Sequence, residues 1–481
     1  MTPRADSATA MQGPAELQAT ATAEEVLDPL RRRLATLAVA SAIALSAVSL
    51  TGLSVALPVM ANELGLQRAT AVWLVSGFQL ALVATLFPFA ALGEQWGYRR
   101  TFALGLVLIA VASVICSTSE SFAWLLAGRI LQGLGASAVM AVNPALLRLS
   151  VPAQALGRVL GSNAMVVALA TALGPSLAAL VLSAAHWRWL FALNLPWALL
   201  ALGIGWFVLP RRIQAPDRRF DHGGALLNMV TFVLAAAALD RLAAGGWMAL
   251  SLISGALVSG WILYRHQRHR SAPMVPLDLL RNREVSASAG ASVFAFAAQM
   301  TALVSLPFLL HDVFHLSLLA TGTTLMAWPL AVAVMAPVAG RCVDRQWSST
   351  KLCMLGGALQ CLALLAMAGF AHRLGYHAMV ALMVVCGIGF GFFQTPNNRA
   401  MLSATPRERS GSAGGLQATA RLTGQTLGAA VVGLSFRLQP GDAAAACAMA
   451  LFAAAVFAAA SAGFSLRRQA VQASRASGQF H

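Results

Sequence analysis

Of the 481 residues, 58% are hydrophobic and 10% charged, with a mean hydropathy of +0.71. A water-soluble domain carries about a quarter charged residues, so seventeen acids and thirty-three bases cannot coat a 50.1 kDa globule and most of the surface must face lipid. The net charge of +16 would suggest nucleic acid in a soluble protein, but its placement along the chain argues for a topological role and against a nucleic-acid partner.

The first thirty residues are polar and precede no small-residue cleavage site, which reads as a short tail and not as a cleaved signal peptide. Fourteen apolar stretches of about 20 residues follow, the length needed to cross hydrocarbon as helix. They lie near 34–58, 69–92, 101–118, 122–146, 157–183, 189–210, 222–242, 246–264, 287–310, 316–340, 351–371, 375–398, 410–436 and 443–465. None alternates with the two-residue period of a barrel strand, so the expected fold is an all-α polytopic bundle arranged 6+2+6. The expected divisions are an N-tail (1–33), a six-helix bundle (34–210), a linker with two extra spans and a loop (211–286), a second six-helix bundle (287–465) and a C-tail (466–481).

An even number of spans puts both tails on one side. Twenty-six of the thirty-three bases fall on that side and five (Arg68, Arg188, Arg241, Arg373, Arg437) on the other. Positive charge marks the cytoplasmic side, so both tails are expected inside an inner-membrane protein. The six cysteines lie in or beside apolar runs without CxxC spacing and read as small core residues, with no metal site expected. His311 and His315, four apart, are at ligand spacing but have no third partner. His266 and His269, among arginines at 265–270, read as lipid-headgroup contacts.

The two six-helix units repeat. After the second span of each come AALGEQWGYRR (Ala90 to Arg100) and GRCVDRQWSSTK (Gly340 to Lys351), each with a small residue four positions before an acid and then bases at a turn. The fourth span contains GRILQGLGAS, with Arg129 at membrane depth and Gln132 after it; the fifth contains ALATALGPSLAA, with Gly174 and Pro175. HWRWLFALNLP follows, with Trp187 and Trp189 as expected interfacial anchors. In the second half, FFQTPNNRAMLSATPRERSGSAGGLQATARLTGQTLG carries Pro396, expected to break helix 12, and Arg421, expected to occupy the second half much as Arg129 does the first.

Taken together, these motifs resemble the major facilitator superfamily, and the fourteen spans resemble its drug:proton antiporter (multidrug efflux) branch. The resemblance implies secondary active export of amphipathic or drug-like molecules by alternating access, with a proton gradient and no cofactor. It implies a cytoplasmic latch at Glu94, Gly97, Arg99, Arg100, Gly340, Asp344 and Arg345, a proton-coupling Arg129 facing the cavity beside Gln132, and a hinge at Gly174 and Pro175. Expected partners are the bilayer and a small-molecule substrate, the protein acting as a monomer, with accessory export proteins as a further option. Apolar and amide side chains suited to a loosely specified cavity are Trp73, Phe78 and Gln79, Phe296, Gln299 and Met300, and Phe393, Gln394 and Asn397.

One departure stands out. The family's first helix carries an Asp and an Asn where this chain reads VSLTGLSVALP, with Ser49 and Ser54 at those positions, and none of the seventeen acids falls at a helix centre. Proton antiport needs a titrating group. Either coupling has moved, with Asp240, Asp312, His311 or Glu94 as candidates, or the substrate is an anionic or zwitterionic metabolite attracted by Arg129 and Arg421. A membrane-embedded enzyme is disfavoured by the lack of HExxH and GxSxG, and ATP-driven export by the lack of a Walker motif. A non-transporting sensor is disfavoured by the short tails.

Overall fold

The computed structural model describes residues 28–211, 220–242, 246–268, 277–370, 375–405 and 410–478. Fourteen crossings are present, numbered here α1 (Pro29–Glu63), α2 (Arg68–Trp96), α3 (Tyr98–Thr118), α4 (Phe122–Ser150), α5 (Ala153–Ala184), α6 in two pieces (Arg188–Ala192, Asn194–Val208), α7 (His222–Arg241), α8 (Gly246–Arg268), α9 (Arg283–Phe308), α10 in two pieces (Leu318–Leu325, Ala327–Asp344), α11 (Ser349–Phe370), α12 (Tyr376–Ser403), α13 (Ser410–Leu438) and α14 (Ala443–Gly478). A π-helical turn, Leu309–Val313, extends α9. Thirteen of the described helices are long and apolar enough to span a bilayer. The fourteenth crossing, α13, is richer in Gly, Ser, Thr and Gln because it packs against protein on several sides; its Gly424 and Gly428 press directly on the α9 backbone.

Two expectations change. The α12 helix runs through Pro396, which is buried, because Pro in a bilayer helix is tolerated where neighbouring groups meet the freed carbonyl. The α14 helix continues past 465 to Gly478, so the first part of the expected C-tail is helix, and Arg468 in it is 1% exposed.

The two halves share one skeleton. In the first, Gly105 of α3 meets Gly135 of α4: a Cβ built on Gly105 would stand 2.7 Å from the Gly135 carbonyl oxygen. In the second, Gly356 of α11 meets Gly389 of α12, at 2.3 Å from the Gly389 oxygen. Two positions earlier on α4 and α12, Gly133 and Gly387 would each meet a carbonyl oxygen at 2.4 Å, that of Phe78 and that of Trp328 respectively. These matched contacts bring the helix backbones together where only hydrogen fits. They also set residue equivalences between the halves.

The first described residue of α1 and the last of α14 lie at one face, here the tail face. At the opposite, far face a single apolar core spans the two halves: Leu57, Met60, Val72 and Val75 of α1 and α2 pack in one cluster with Met300, Leu306 and Phe308 of α9 and Val432 of α13. At mid-depth a smaller cluster still joins the halves, Phe78, Leu82 and Leu86 of α2 and Ala136 of α4 with Leu422 of α13; beyond it, toward the tail face, the cores are separate, with Leu45, Phe102 and Leu146 in the first half and Val285, Met401 and Leu416 in the second.

Candidate functional site

At mid-depth the halves meet along two seams. On one, α5 lies against α10: the Ser176 hydroxyl donates to the Gly322 carbonyl at 3.1 Å, and a Cβ on Gly322 would come within 2.8 Å of the Pro175 oxygen. Gly174, next in line, lies against Gly52 and Thr51 of α1. The Gly-Pro pair therefore sits where three helices from both halves touch. On the other seam, α2 crosses α13. Gln79 Nε2 reaches Gln425 Oε1 at 3.5 Å and Met300 Sδ at 3.9 Å, while Gln79 Oε1 is sealed without a partner. The Ser49 and Ser54 hydroxyls of α1 are likewise sealed and unpartnered.

Arg129 is wholly buried inside the first half. Its Nε donates to the Leu74 carbonyl at 3.0 Å and its Nη1 to Gln132 Oε1 at 2.5 Å, and Gln132 in turn donates to the Ser113 hydroxyl. The guanidinium lies over the Phe78 ring at 4.4 Å and 6.0 Å from that of Phe191. The expectation that Arg129 lines the cavity is corrected: α2 covers it, and Phe78 is the cover. A charge at membrane depth costs at least about 2.5 kcal/mol; ring faces and carbonyls offset that cost here.

The expected likeness of Arg421 to Arg129 also fails. Arg129 precedes Gly135 by six residues, and the residue six before Gly389 is Met383, fully buried. Arg421 stands instead on α13, twelfth of twenty-nine residues, partly exposed, with its Nε sealed and unpaired.

A third interior arginine escaped the sequence. Arg468 donates from Nε to the Thr350 hydroxyl at 3.1 Å and from Nη1 to the Ser288 hydroxyl at 3.1 Å and Asn397 Oδ1 at 3.0 Å. Asn397 also donates to Ser292 and the Ser288 carbonyl. Asn397 is thus a strut tying α9, α11, α12 and α14, not a cavity residue. Phe296 and Phe393 are likewise buried in the second half around Phe390, with Phe296 edge-on to that ring at 5.1 Å. Gln299 and Gln394 remain partly exposed, and Met300 lies under Gln79. The only signal for Arg468 was the equivalence of halves: Thr350 stands six before Gly356, as Arg99 stands six before Gly105.

At the tail face, Gly97 closes the α2–α3 turn with φ 102°, a conformation that favours glycine. Arg99 turns inward over the Trp206 ring at 4.5 Å, whereas Glu94 and Arg100 are exposed. In the second half Asp344 pairs with Arg399 at the end of α12, both exposed, while Arg345 caps α10 and Gly340 faces the Thr395 methyl of α12, which a Cβ would meet at 3.7 Å. Trp187 is corrected from interfacial anchor to core: it is 1% exposed and donates to Glu63 at 2.8 Å, leaving Trp189 at the surface. His266 bonds Asp221, the N-cap of α7, at 2.8 Å and so faces protein as well as any headgroup; His269 lies outside the described residues. His315 lies beyond the π turn with φ 54°, so it does not share a regular helical face with His311.

The far face carries the inter-half charge contacts. Arg68, first residue of α2, donates from Nε to Asp312 Oδ2 at 2.7 Å in the turn after α9. Asp240, near the end of α7, accepts from Trp73 Nε1 at 2.8 Å and from Arg437 of α13 at 2.5 Å. The eleven described acids all lie at helix ends or between helices.

Two six-helix halves related by matched close contacts, closed together at one face, is an architecture that known proteins share. The family profile of the Major Facilitator Superfamily matches residues 39–429. The chain belongs to the Major Facilitator Superfamily. It is similar to the uncharacterized transporter YebQ of Escherichia coli (strain K12), 41% identical over 398 residues covering 79% of this chain and 84% of that protein. It is also similar to the multidrug resistance protein Stp of Mycobacterium tuberculosis (strain CDC 1551 / Oshkosh), at 28% identity over 80% of this chain and 74% of that one. Among solved structures, a bacterial homolog of the human lysosomal transporter Spinster, in an inward-facing and unoccupied conformation, superimposes with a TM-score of 0.67 over 92% of this chain and 98% of its own, at 14% identity. The superfamily member described here is an integral membrane transporter.

Proposed function

We propose that the protein exports amphipathic or drug-like small molecules from the cytoplasm of a bacterial cell by alternating access, in exchange for protons, with both tails cytoplasmic. The observation that carries this reading is the asymmetry between the faces. One core and the Arg68–Asp312 pair join the halves at the far face, a smaller cluster around Phe78 and Leu422 joins them at mid-depth, and only beyond it toward the tail face are the cores separate. With the arginine-rich tail face inside, this conformation is the loading state. Release outward requires the far-face contacts to part and the tail-face ends to come together.

Coupling cannot use a helix-centre acid in the described chain. Asp312 is the acid placed to do the work: it is 12% exposed and bonds an arginine of the opposite half. Protonation from the outside would neutralise it and remove the attraction that holds the far face shut. Asp240 stands in the same way between α7, α2 and α13. This gives the two extra helices a task, since α7 is tied to α2 a second time by Asn228, which donates to the Ala84 carbonyl at 2.7 Å.

The test is transport by purified protein in proteoliposomes under an imposed pH gradient. Gradient-dependent movement of an amphipathic dye, abolished by a protonophore, is expected. Movement indifferent to the gradient would leave a uniporter and end the antiport reading.

A second reading, export of an anionic metabolite, is favoured by one specific observation, the state of Arg421.

A further inference from the structure

Arg421 differs from every other arginine in the interior. Arg129, Arg99 and Arg468 each have hydrogen bonds or a ring face. Among the described residues Arg421 has neither hydrogen bond, ion pair nor ring contact, and its Nε is sealed from solvent. A helix 29 residues long extends roughly 43 Å, and Arg421 lies about 16 Å from its start, in the middle third of the helix.

The neighbours on α13 settle which way it points. Gly424 and Gly428 press on the backbone of α9 at Val293 and Ala297. Leu422 packs on the other side with Phe78 and Leu82 of α2. Arg421 projects between those two faces, on the same side of the helix as Ala429 and Val432, which join the core common to both halves. One turn on, at Gln425, the same face receives Gln79 across the seam at the long distance of 3.5 Å, and the Gln79 carbonyl oxygen has no donor. Met300 lies against Gln79 and the Phe87 ring edge approaches Gly415, so the polar atoms are bordered by apolar side chains.

We propose that Arg421, with Gln425 and Gln79, is the recognition site for an anionic group on an amphipathic substrate: a carboxylate, sulfonate or phosphomonoester attached to an apolar body. This rests on the transporter reading above and sharpens its substrate class. A guanidinium presents a planar fork of donors that matches an oxyanion in two places, and in a low-dielectric seam that attraction is far stronger than in water. The two amides can turn to donate from either side, since neither is locked by a short hydrogen bond. A cationic substrate would meet an unopposed positive charge here, with no carboxylate at the same depth among the described residues to attract it.

Full-length protein in nanodiscs titrated by calorimetry with three probes of one shape, 1-naphthoate, 1-naphthylmethylammonium and 1-naphthalenemethanol, decides the matter. Wild type is expected to bind the carboxylate at least tenfold more tightly than the ammonium. Arg421→Gln is expected to erase that preference while leaving the neutral alcohol unchanged, Arg421→Lys to keep part of it, and Gln425→Ala to weaken the carboxylate severalfold. Equal wild-type affinity for the two charges overturns the proposal, as does a preference that survives in Arg421→Gln; if that variant does not fold, the wild-type preference and Gln425→Ala still decide. A parallel titration with sodium chloride at constant ionic strength separates an organic substrate from a mere inorganic ion: displacement of naphthoate by an equal concentration of chloride overturns the assignment. Proton-driven transport of a quaternary-ammonium dye that ignores Arg421→Gln would keep the transporter reading and defeat this one. Charge-selective binding without any gradient-dependent flux would do the reverse.

Discussion

The two six-helix halves are built on the same close contacts and carry their charges in different places. At the position six before the α4–α3 glycine contact the first half has Arg129, and the second has Met383. Three before it the first half has Gln132, the acceptor for Arg129, and the second has Cys386. Near the tail face the first half puts its arginine on α3, where Arg99 stacks on Trp206 of α6; the second has Thr350 at that place and supplies Arg468 from α14. Asn143 and Asn397, each eight beyond the shared glycine, are both buried, but Asn397 Oδ1 is held by Arg468 while Asn143 Oδ1 has no partner. The lesson is that the repeat conserves backbone approach and leaves polar groups free to specialise, because steric contacts leave no alternative and a hydrogen-bonded cluster can be assembled from either side.

The common skeleton is broken most severely by filling a shared glycine. Gly133→Val and Gly387→Val each drive a side chain into a carbonyl oxygen, of Phe78 and Trp328, with no flexible neighbour to yield. Both variants are expected to lose most of their monodisperse protein in detergent, to the same extent, as read by size-exclusion chromatography.

The next largest effects separate the halves. Arg468→Met removes the donor that Asn397 Oδ1 and the Ser288 and Thr350 hydroxyls share, a loss of about 3 kcal/mol, and a clear fall in the thermal midpoint is expected. Arg129→Met gives the first half the residue that the second half has there, and costs about as much because Gln132 and the Leu74 carbonyl lose their partner. Adding Gln132→Cys completes the second-half chemistry and is expected to recover part of the midpoint. A double variant no more stable than Arg129→Met would show that the halves are not interchangeable at this site.

Smaller still is the effect of parting the halves at one point. Asp312→Asn removes the ion pair to Arg68 while keeping the shape, and Cys447, buried near this pair with its thiol facing the Ser305 carbonyl, is the reporter. A severalfold faster reaction of Cys447 with a membrane-impermeant thiol reagent, mapped by mass spectrometry, is expected. The least effect belongs to Asp344→Asn. Its pairing with Arg399 is exposed on both sides, and a change below about 1 kcal/mol is expected in thermal unfolding.

Much of this was legible in the chain. The fourteen helices, the all-α fold and, among the described residues, the placement of acids at helix ends all follow from local composition or spacing. The mid-depth position of Arg421 was legible for the same reason. The environments of Arg129, Phe78, Phe296, Phe393 and Asn397 were not. An apolar or amide side chain on a bilayer helix has the same local signature whether it lines a cavity or packs on the next helix, and only the neighbour decides. Hydropathy falls after 465 and by itself assigns Arg468 to the tail, whereas α14 continues and turns that arginine under three other helices.

By itself the sequence determined that this is a membrane-spanning bundle with few charges and a positive excess. Hydrocarbon admits only hydrogen-bonded helices of a certain length, and arginine distribution biases their orientation. Tertiary structure decided what each interior charge is for. A guanidinium in lipid must find partners, and whether it finds them within its own half, as Arg129 and Arg468 do, or is left at the seam, as Arg421 is, depends on how helices far apart in the chain are placed side by side.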